Sequence, residues 1–469
     1  MTAWEDLLGT ALVGTGRRPF DLAASGIPGA GSVTADSPEA AVLAAAALAA
    51  GHRRAGWTPP VWRGTPRQPA GPDDRPECTP AAAQLLELLL TKAIRLEVGT
   101  ELLTGDWLTA ARDTGRRPPY RLLPDLLRFG TTTATARPLV RDVLGPRGAW
   151  LAAHNPAWSW AATVPPADVA ERFATGTRAE RVALLTDLRA TAPGRARELV
   201  EETWADEPAA TRAAFLDTLR TGLSGDDEPL LERALDDRAA TVRADATALL
   251  DHLPGSARAQ RMAERARRLH QGRGAFDLPG EPDDAARRDG VTDHREPGLG
   301  RGASRLIQIL AATPLAAWDR AWIPEAGHDV LLGWTKAALR QRDQQWLTAL
   351  ARHQPTPELI AALTPATAAE ILGGSRKLDA RFGALLAAAP GPWPAEFSTE
   401  IVARLRTAKA EAVLRLAARA MAEHLHPAAL AAVENWLLAL GTDHKPTART
   451  LRGIAHALTI RATIRQEFT

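Results

Sequence analysis

Arg181-Val-Ala-Leu-Leu-Thr-Asp-Leu188, Arg212-Ala-Ala-Phe-Leu-Asp-Thr-Leu219 and Arg243-Ala-Asp-Ala-Thr-Ala-Leu-Leu250 superpose without a gap, each copy offset from the last by 31 residues (212 − 181 and 243 − 212). The residues after each copy keep the same register. Leu199-Val200 falls on Leu230-Leu231, Trp204 falls on Leu235, and the turn residues Pro193, Ser224 and Gly255 coincide. A constant period long enough for two helices marks a solenoid, in which each helix pair buries its apolar face against the next. In the third unit Val242, Ala246, Leu249, Leu250 and Leu253 form one apolar stripe at helical spacing. Asp237 stands where an N-cap is expected, and Pro254-Gly255-Ser256 ends that helix and caps the next.

The pattern Asp237-x-x-x-x-Val242-Arg243-x-x-Ala246 resembles the signature of HEAT repeats. That resemblance implies a hydrogen-bonded ladder between neighbouring repeats, built here from Arg181, Arg212, Arg243 and Asp237. Arginine paired bidentately with a carboxylate suits such a ladder.

Outward from this block the chain reads as all-α. Of its 469 residues 45% are hydrophobic, with Ala and Leu dominating, and Tyr120 is the only tyrosine, so helix formers prevail over strand formers. The reading divides the chain into an N-terminal helical region (1–165), the HEAT-like block (166–270), a break (271–301) and a C-terminal solenoid-like region (302–469). A proline-rich loop occupies 56–79, and a helix is expected over 80–98, opened by Thr79-Pro80 and stopped by Gly99. The break is rich in Gly, Pro, Asp and Arg, a linker or an ordered functional loop. Beyond it, Thr313-Pro314, Thr356-Pro357 and Thr364-Pro365 repeat the cap-and-proline start. No alternating strand pattern persists.

Charge and composition narrow the function classes. The formal net charge of +2 supplies no global basic field of the kind that holds nucleic acid. Positive charge is nearly all arginine, since Lys92, Lys336, Lys377, Lys409 and Lys445 are the only lysines. The single cysteine, Cys78, allows no intrachain disulfide and no Cys-based zinc site. Met1-Thr2-Ala3-Trp4-Glu5-Asp6 is acidic where a signal peptide is basic, and the longest apolar run, Ala40 to Gly51, is too short to span a bilayer. A cytoplasmic protein without a membrane segment is expected.

Motifs with chemistry are few. Gly9-Thr-Ala-Leu-Val-Gly14-Thr15-Gly16 imitates a P-loop but lacks the Lys-Ser/Thr pair that reaches the phosphates. Gly298-Leu-Gly300-Arg301-Gly302-Ala-Ser304 reads as an ordinary lead into a helix. His424 and His426, two apart, point to different faces and do not share a metal. No catalytic residue, cofactor or metal is expected, and an enzyme is the disfavoured reading. Arg258, Arg261 and Arg265 stand with only Glu264 opposing them on one helix, a candidate basic face for phosphates or a solvated outer surface. Arg288, Asp289 and Gly290 offer directional hydrogen bonding with little apolar area, a candidate partner-binding element or a tie to the solenoid.

Three stretches together resemble a bacterial family known only as a domain of unknown function, common in actinobacteria. They are Ala11-Leu-Val-Gly14-Thr15-Gly16-Arg17-Arg18 behind Trp4; Arg147-Gly148-Ala149-Trp150 through His154-Asn155-Pro156-Ala157-Trp158; and Arg288-Asp289-Gly290 with Pro314-Leu315-x-x-Trp318. Its members look like helical-repeat proteins, often encoded beside a MoxR-type AAA+ ATPase, a von Willebrand A-domain protein and a SWIM zinc-finger protein. The resemblance implies a non-catalytic component of such a system and transfers no catalytic residue; the long concave faces of a solenoid make a scaffold or adaptor the leading reading, with an AAA+ ATPase or von Willebrand A-domain protein as partner. The rival reading is a nucleic-acid-binding HEAT-like protein of glycosylase-like character, which needs arginines from several repeats on one concave face.

Overall fold

The computed structural model describes residues 3–56, 68–93, 99–162, 169–440 and 444–469. These are predominantly helical with almost no strand, as the Ala- and Leu-rich composition favours. The chain forms two compact units, Met1–Pro69 and Ala70–Thr469, and the division falls inside the stretch read as a proline-rich loop. Of that loop's prolines, Pro59, Pro60 and Pro66 lie outside the described residues.

In the first unit the helices Ala3–Val13 and Pro38–Gly56 share a small core around Leu7, Leu22, Ile27 and Ala45. The P-loop-like stretch is the end of the first helix: Gly9 lies within it, and Gly14 leaves it at a φ of 91°.

The second unit holds the three arginine-led segments. Helix Arg178–Thr191 packs on Ala209–Thr218, and that helix packs on Ala240–Leu250, so the three arginine-led segments are spatial neighbours. Each intervening pair closes through Leu199, Val200, Leu230 and Leu231, all buried. Thr177 and Glu180 open the first helix with a reciprocal capping box. Between neighbouring helix pairs, Arg212 grips Asp237 bidentately at 2.8 and 3.0 Å, and Arg181 meets Glu207 at 2.6 Å. Arg243 instead donates to the backbone carbonyls of Asp237 and Arg238. The position 25 residues beyond Arg243, where Arg212 finds its aspartate, holds Arg268, so no carboxylate is available there.

The best-paired charge in this block is one that sequence inspection passed over. Arg189 is wholly buried and forms a double hydrogen bond to the buried Asp227, at 2.9 and 2.8 Å. Its remaining donors reach the carbonyls of Pro193, Leu219, Thr221 and Gly222. A buried guanidinium is tolerable only when its donors are met in this way.

Several local expectations change. The 80–98 helix ends at Leu90, because Lys92 adopts a φ of 53° that an α-helix does not admit; residues 94–98 lie outside the described residues. Asp237 is not the N-cap of its helix, since Ala239 holds that position and the carboxylate faces Arg212. Thr313 does not cap either; its hydroxyl donates back to Ile309 O, whereas Thr79, Thr356 and Thr364 cap as read. Finally, the 271–301 break is built, not empty. It begins in a short antiparallel hairpin, His270–Gly272 with Ala275–Phe276, and contains the helix Asp284–Arg288. His270 and Phe276 of this hairpin lie against Trp318 and Trp322, which anchors it on the C-terminal helices.

The last helix, Lys445–Glu467, returns to the start of the same unit and packs on Pro80–Leu90 and Thr100–Asp113. Ile460, Ile464 and Phe468 join the core formed by residues 78–161. Phe468 meets the buried Trp107 edge-on, with centroids 5.1 Å apart.

Candidate functional site

Two places concentrate polar side chains whose positions the fold, not the local sequence, sets. One gathers the residues singled out by sequence: the Asp289 carboxylate, only 1% exposed, lies beneath the Ala257–Leu269 helix. Arg261 donates to both its oxygens at 3.0 Å, and Arg265 donates to Oδ2 at 2.6 Å. Arg258, 2% exposed, reaches the Asp289 carbonyl at 2.8 Å and the Asp251 carboxylate at 2.7 Å. Arg288 forks onto Asp236 at 2.6 and 2.8 Å and touches Glu232, which also receives Arg261. Gly290, at a φ of 89°, lies so close to Thr247 that a β-carbon would come within 2.6 Å of its methyl group.

The three arginines therefore do not form an open basic face. They converge from one helix face on a buried aspartate, and Arg288 ties the same loop to Glu232 and Asp236. Burial pushes the Asp289 carboxyl up, but the hydrogen bonds and charges of Arg261 and Arg265 outweigh it and hold the group below the usual carboxylate range. Chemically this is a clasp with its charges spent.

The other place is a groove of about 870 Å³ where the last helix meets the first helices of the unit. Three helices supply most of the lining, namely Leu102, Gly105, Asp106 and Thr109 from Thr100–Asp113; Ala418, Arg419, Ala422 and Glu423 from Glu411–His424; and Thr450, Gly453 and Ile454 from Lys445–Glu467; Leu139 of Arg137–Ala153 adds a fourth side. Spacings of three and four residues bring these side chains to one side of each helix. Because many of them are small, the helices leave open space between them. A β-carbon on Gly105 would meet nothing within 4 Å.

Each carboxylate that lines the groove has a cation within 4.0 Å: Arg419 for Glu423, Arg461 for Asp106 and Lys92 for Glu101. Glu101, Asp106 and Glu423 line it against a single lining guanidinium, Arg419. Arg419 pairs with Glu423 Oε1 at 2.6 Å. Behind the floor, Arg461 donates from Nε to Asp106 Oδ2 at 2.7 Å and from Nη1 to the Ala422 carbonyl at 2.5 Å. Its Nη2 is buried and has no hydrogen-bond partner among the described residues. His424 stands beside Glu423, and burial pushes its imidazole below its usual range.

None of Glu101, Asp106, Glu423 and Arg461 was singled out from sequence. They come from helices hundreds of residues apart, and no local spacing announces that they meet. Among the described residues, no group of three or more His, Cys, Asp or Glu is arranged to hold a metal ion, and no helix is long and apolar enough to cross a membrane.

Residues 6–468 match the model of a family described as "Family of unknown function (DUF5691)". No curated protein and no solved structure matches the chain.

Proposed function

Because the chain belongs to this family of unknown function, which spans nearly all of it, its role has to be read from its surfaces, and we propose that it is a non-catalytic helical scaffold that binds other proteins. The observation that carries this reading is the groove. It is an open channel lined by these helices, with Leu102, Leu139 and Ile454 as apolar lining and Gly105, Ala418, Ala422 and Gly453 leaving it wide. A shaped apolar floor with a polar rim is the anatomy of a protein-binding surface. In this reading the 31-residue units are HEAT-like repeats, a view supported by the Arg212–Asp237 pair that joins successive units. Arg288, Asp289 and Gly290 orient the 271–301 segment for a partner, and they do so as a clasp.

The family resemblance leads us to propose an AAA+ ATPase or a von Willebrand A-domain protein as the partner, met in the cytoplasm. The nucleic-acid alternative needs unspent arginines on one face, whereas Arg258, Arg261 and Arg265 are engaged by Asp251, Asp289 and Glu232. The test is co-purification of the tagged chain from its own cells, followed by mixing with the purified ATPase and the von Willebrand A-domain protein. A stoichiometric complex on size exclusion is the expected result. Failure with both proteins removes that partner assignment, and failure to retain any protein in stoichiometric yield sinks the scaffold reading.

A further inference from the structure

We infer that a separate cavity of about 260 Å³, where the 271–301 segment crosses between two sets of helices, is a site for a small oxyanion: a phosphate or carboxylate, free or carried by a small metabolite. The inference goes beyond the scaffold reading and uses none of the groove's residues.

The walls come from three places. Arg258 belongs to Ala257–Leu269, and Asp251 stands just past the end of Ala240–Leu250. Lys336 and Arg340 belong to His328–Gln341, where a spacing of four residues puts both on one face. His294 and Glu296 come from the 271–301 segment. That segment is seated by the close approach of Gly290 to Thr247, two residues that also line the cavity. Ligand pockets usually measure about 300–1,000 Å³, so this one takes a molecule smaller than a drug.

Charge selects the occupant. Arg258, Lys336 and Arg340 line the cavity against two carboxylates, Asp251 and Glu296. Lys336 donates to Glu296. Asp251 is shared by two guanidiniums: Arg258 Nη1 lies 2.7 Å from Oδ1, and Arg340 Nη1 lies 2.8 Å from Oδ2. Both oxygens of one carboxylate are engaged by two cations, and one positive charge is left over. The Arg258 side chain is only 3% exposed, so water compensates that charge poorly.

Donors remain as well as charge. Arg258 gives Nε to the Asp289 carbonyl and Nη1 to Asp251, which leaves Nη2 without a hydrogen-bond partner among the described residues. An ammonium carries three donors, and Lys336 uses one of them on Glu296. Several charged N–H groups around one small space match an anion with two or three acceptor oxygens. A cation entering here is repelled, and a neutral molecule leaves the extra charge unmet.

The experiment is isothermal titration calorimetry of the full chain with inorganic phosphate, glycerol 3-phosphate and succinate, and with sodium chloride of equal ionic strength as the comparison. His294→Glu places a carboxylate at an exposed lining position, and Lys336→Met removes one cation at similar volume. Melting temperature verifies that each variant folds, and His294→Glu alone carries the test if Lys336→Met does not. At least one oxyanion is expected to bind the unaltered chain saturably and to lose at least about tenfold in affinity in each folded variant, the scale of one charge-assisted hydrogen bond. Binding by phosphate, by the ester alone or by succinate identifies the free ion, the phosphorylated metabolite or the carboxylate as the occupant. No saturable binding up to about 10 mM overturns the proposal, as does affinity unchanged in the folded variants. A response that chloride reproduces also overturns it, because that marks general screening. None of these outcomes bears on the scaffold reading.

Discussion

Asp106 and Arg461 are 355 positions apart in the chain, yet their side chains form a hydrogen-bonded ion pair of 2.7 Å at the junction where the last helix closes onto the second unit's first helices. Arg461 also holds the Ala422 carbonyl, so one guanidinium joins three helices. Removing it leaves Asp106 unpaired and takes away a polar tie between the last helix and both neighbours, which apolar packing alone then holds. Arg461→Ala is expected to lower stability by about 2 kcal/mol, discounted for the partial exposure of Asp106. Hydrogen exchange is the telling measurement: protection should fall in both Thr100–Asp113 and Lys445–Glu467. Loss confined to the last helix would mean that the pair does not couple them.

Arg189 and Asp227 make a harsher case, because neither side chain is exposed at all. Arg189→Ala strips a buried aspartate of its main partner, and Arg197, 3.2 Å away on the rim of the site, cannot replace the lost donors. Breaking a buried pair from one side costs about 3–5 kcal/mol. Urea denaturation should register a drop of that size. A loss within the range of an ordinary surface substitution would show that the pair is not a keystone of these helices.

The clasp around Asp289 makes stability depend on acid. The folded protein holds this carboxyl below its usual range, so it binds protons less readily folded than unfolded. The corresponding stability is present in full above the unfolded carboxyl's pKa, about 3.9, and is lost as pH falls through the lower folded value. Melting temperature measured downward from pH 6 should therefore fall more steeply for the unaltered chain than for Asp289→Asn. Parallel profiles would take Asp289 out of the acid response.

Arg288→Ala combined with Asp289→Ala separates orientation from contact. Both side chains are engaged by Asp236, Glu232, Arg261 and Arg265, so the double variant is expected to melt well below the unaltered protein. An unchanged melting temperature with lost partner capture would instead make the pair a contact surface. The same ion pairs lead us to expect weak, salt-sensitive binding to duplex DNA that changes little in Arg261→Ala.

Cys78 is buried, and burial pushes its thiol up to about 11. The thiolate is the reactive form, so at pH 8 almost none is present. A disulfide-exchange reagent should titrate no thiol in the folded chain and one after denaturation. Rapid labelling of the native protein would contradict this environment.

The helices were legible because their signals are local. Thr356-Pro357 and Thr364-Pro365 state a cap and a helix start within two residues, and Val242, Ala246 and Leu249 state a buried face within three turns. The signals failed where a side chain had a distant alternative. Asp237 had the sequence position of a cap but was taken by Arg212, 25 residues earlier, and Thr313 was taken by the carbonyl of Ile309. The arginines at 258, 261 and 265 read as a free face because their partner, Asp289, is displaced from them by a hairpin and a short helix.

Sequence by itself determined the all-helical character, the 31-residue spacing and the ends of many helices, because propensity, capping and apolar period act over a few residues and need no tertiary partner. Only the tertiary structure decided which charges are spent and which face the groove. Ion pairing and burial depend on where remote segments are brought together, and nothing near Arg461 in the chain specifies that its guanidinium will close on Asp106.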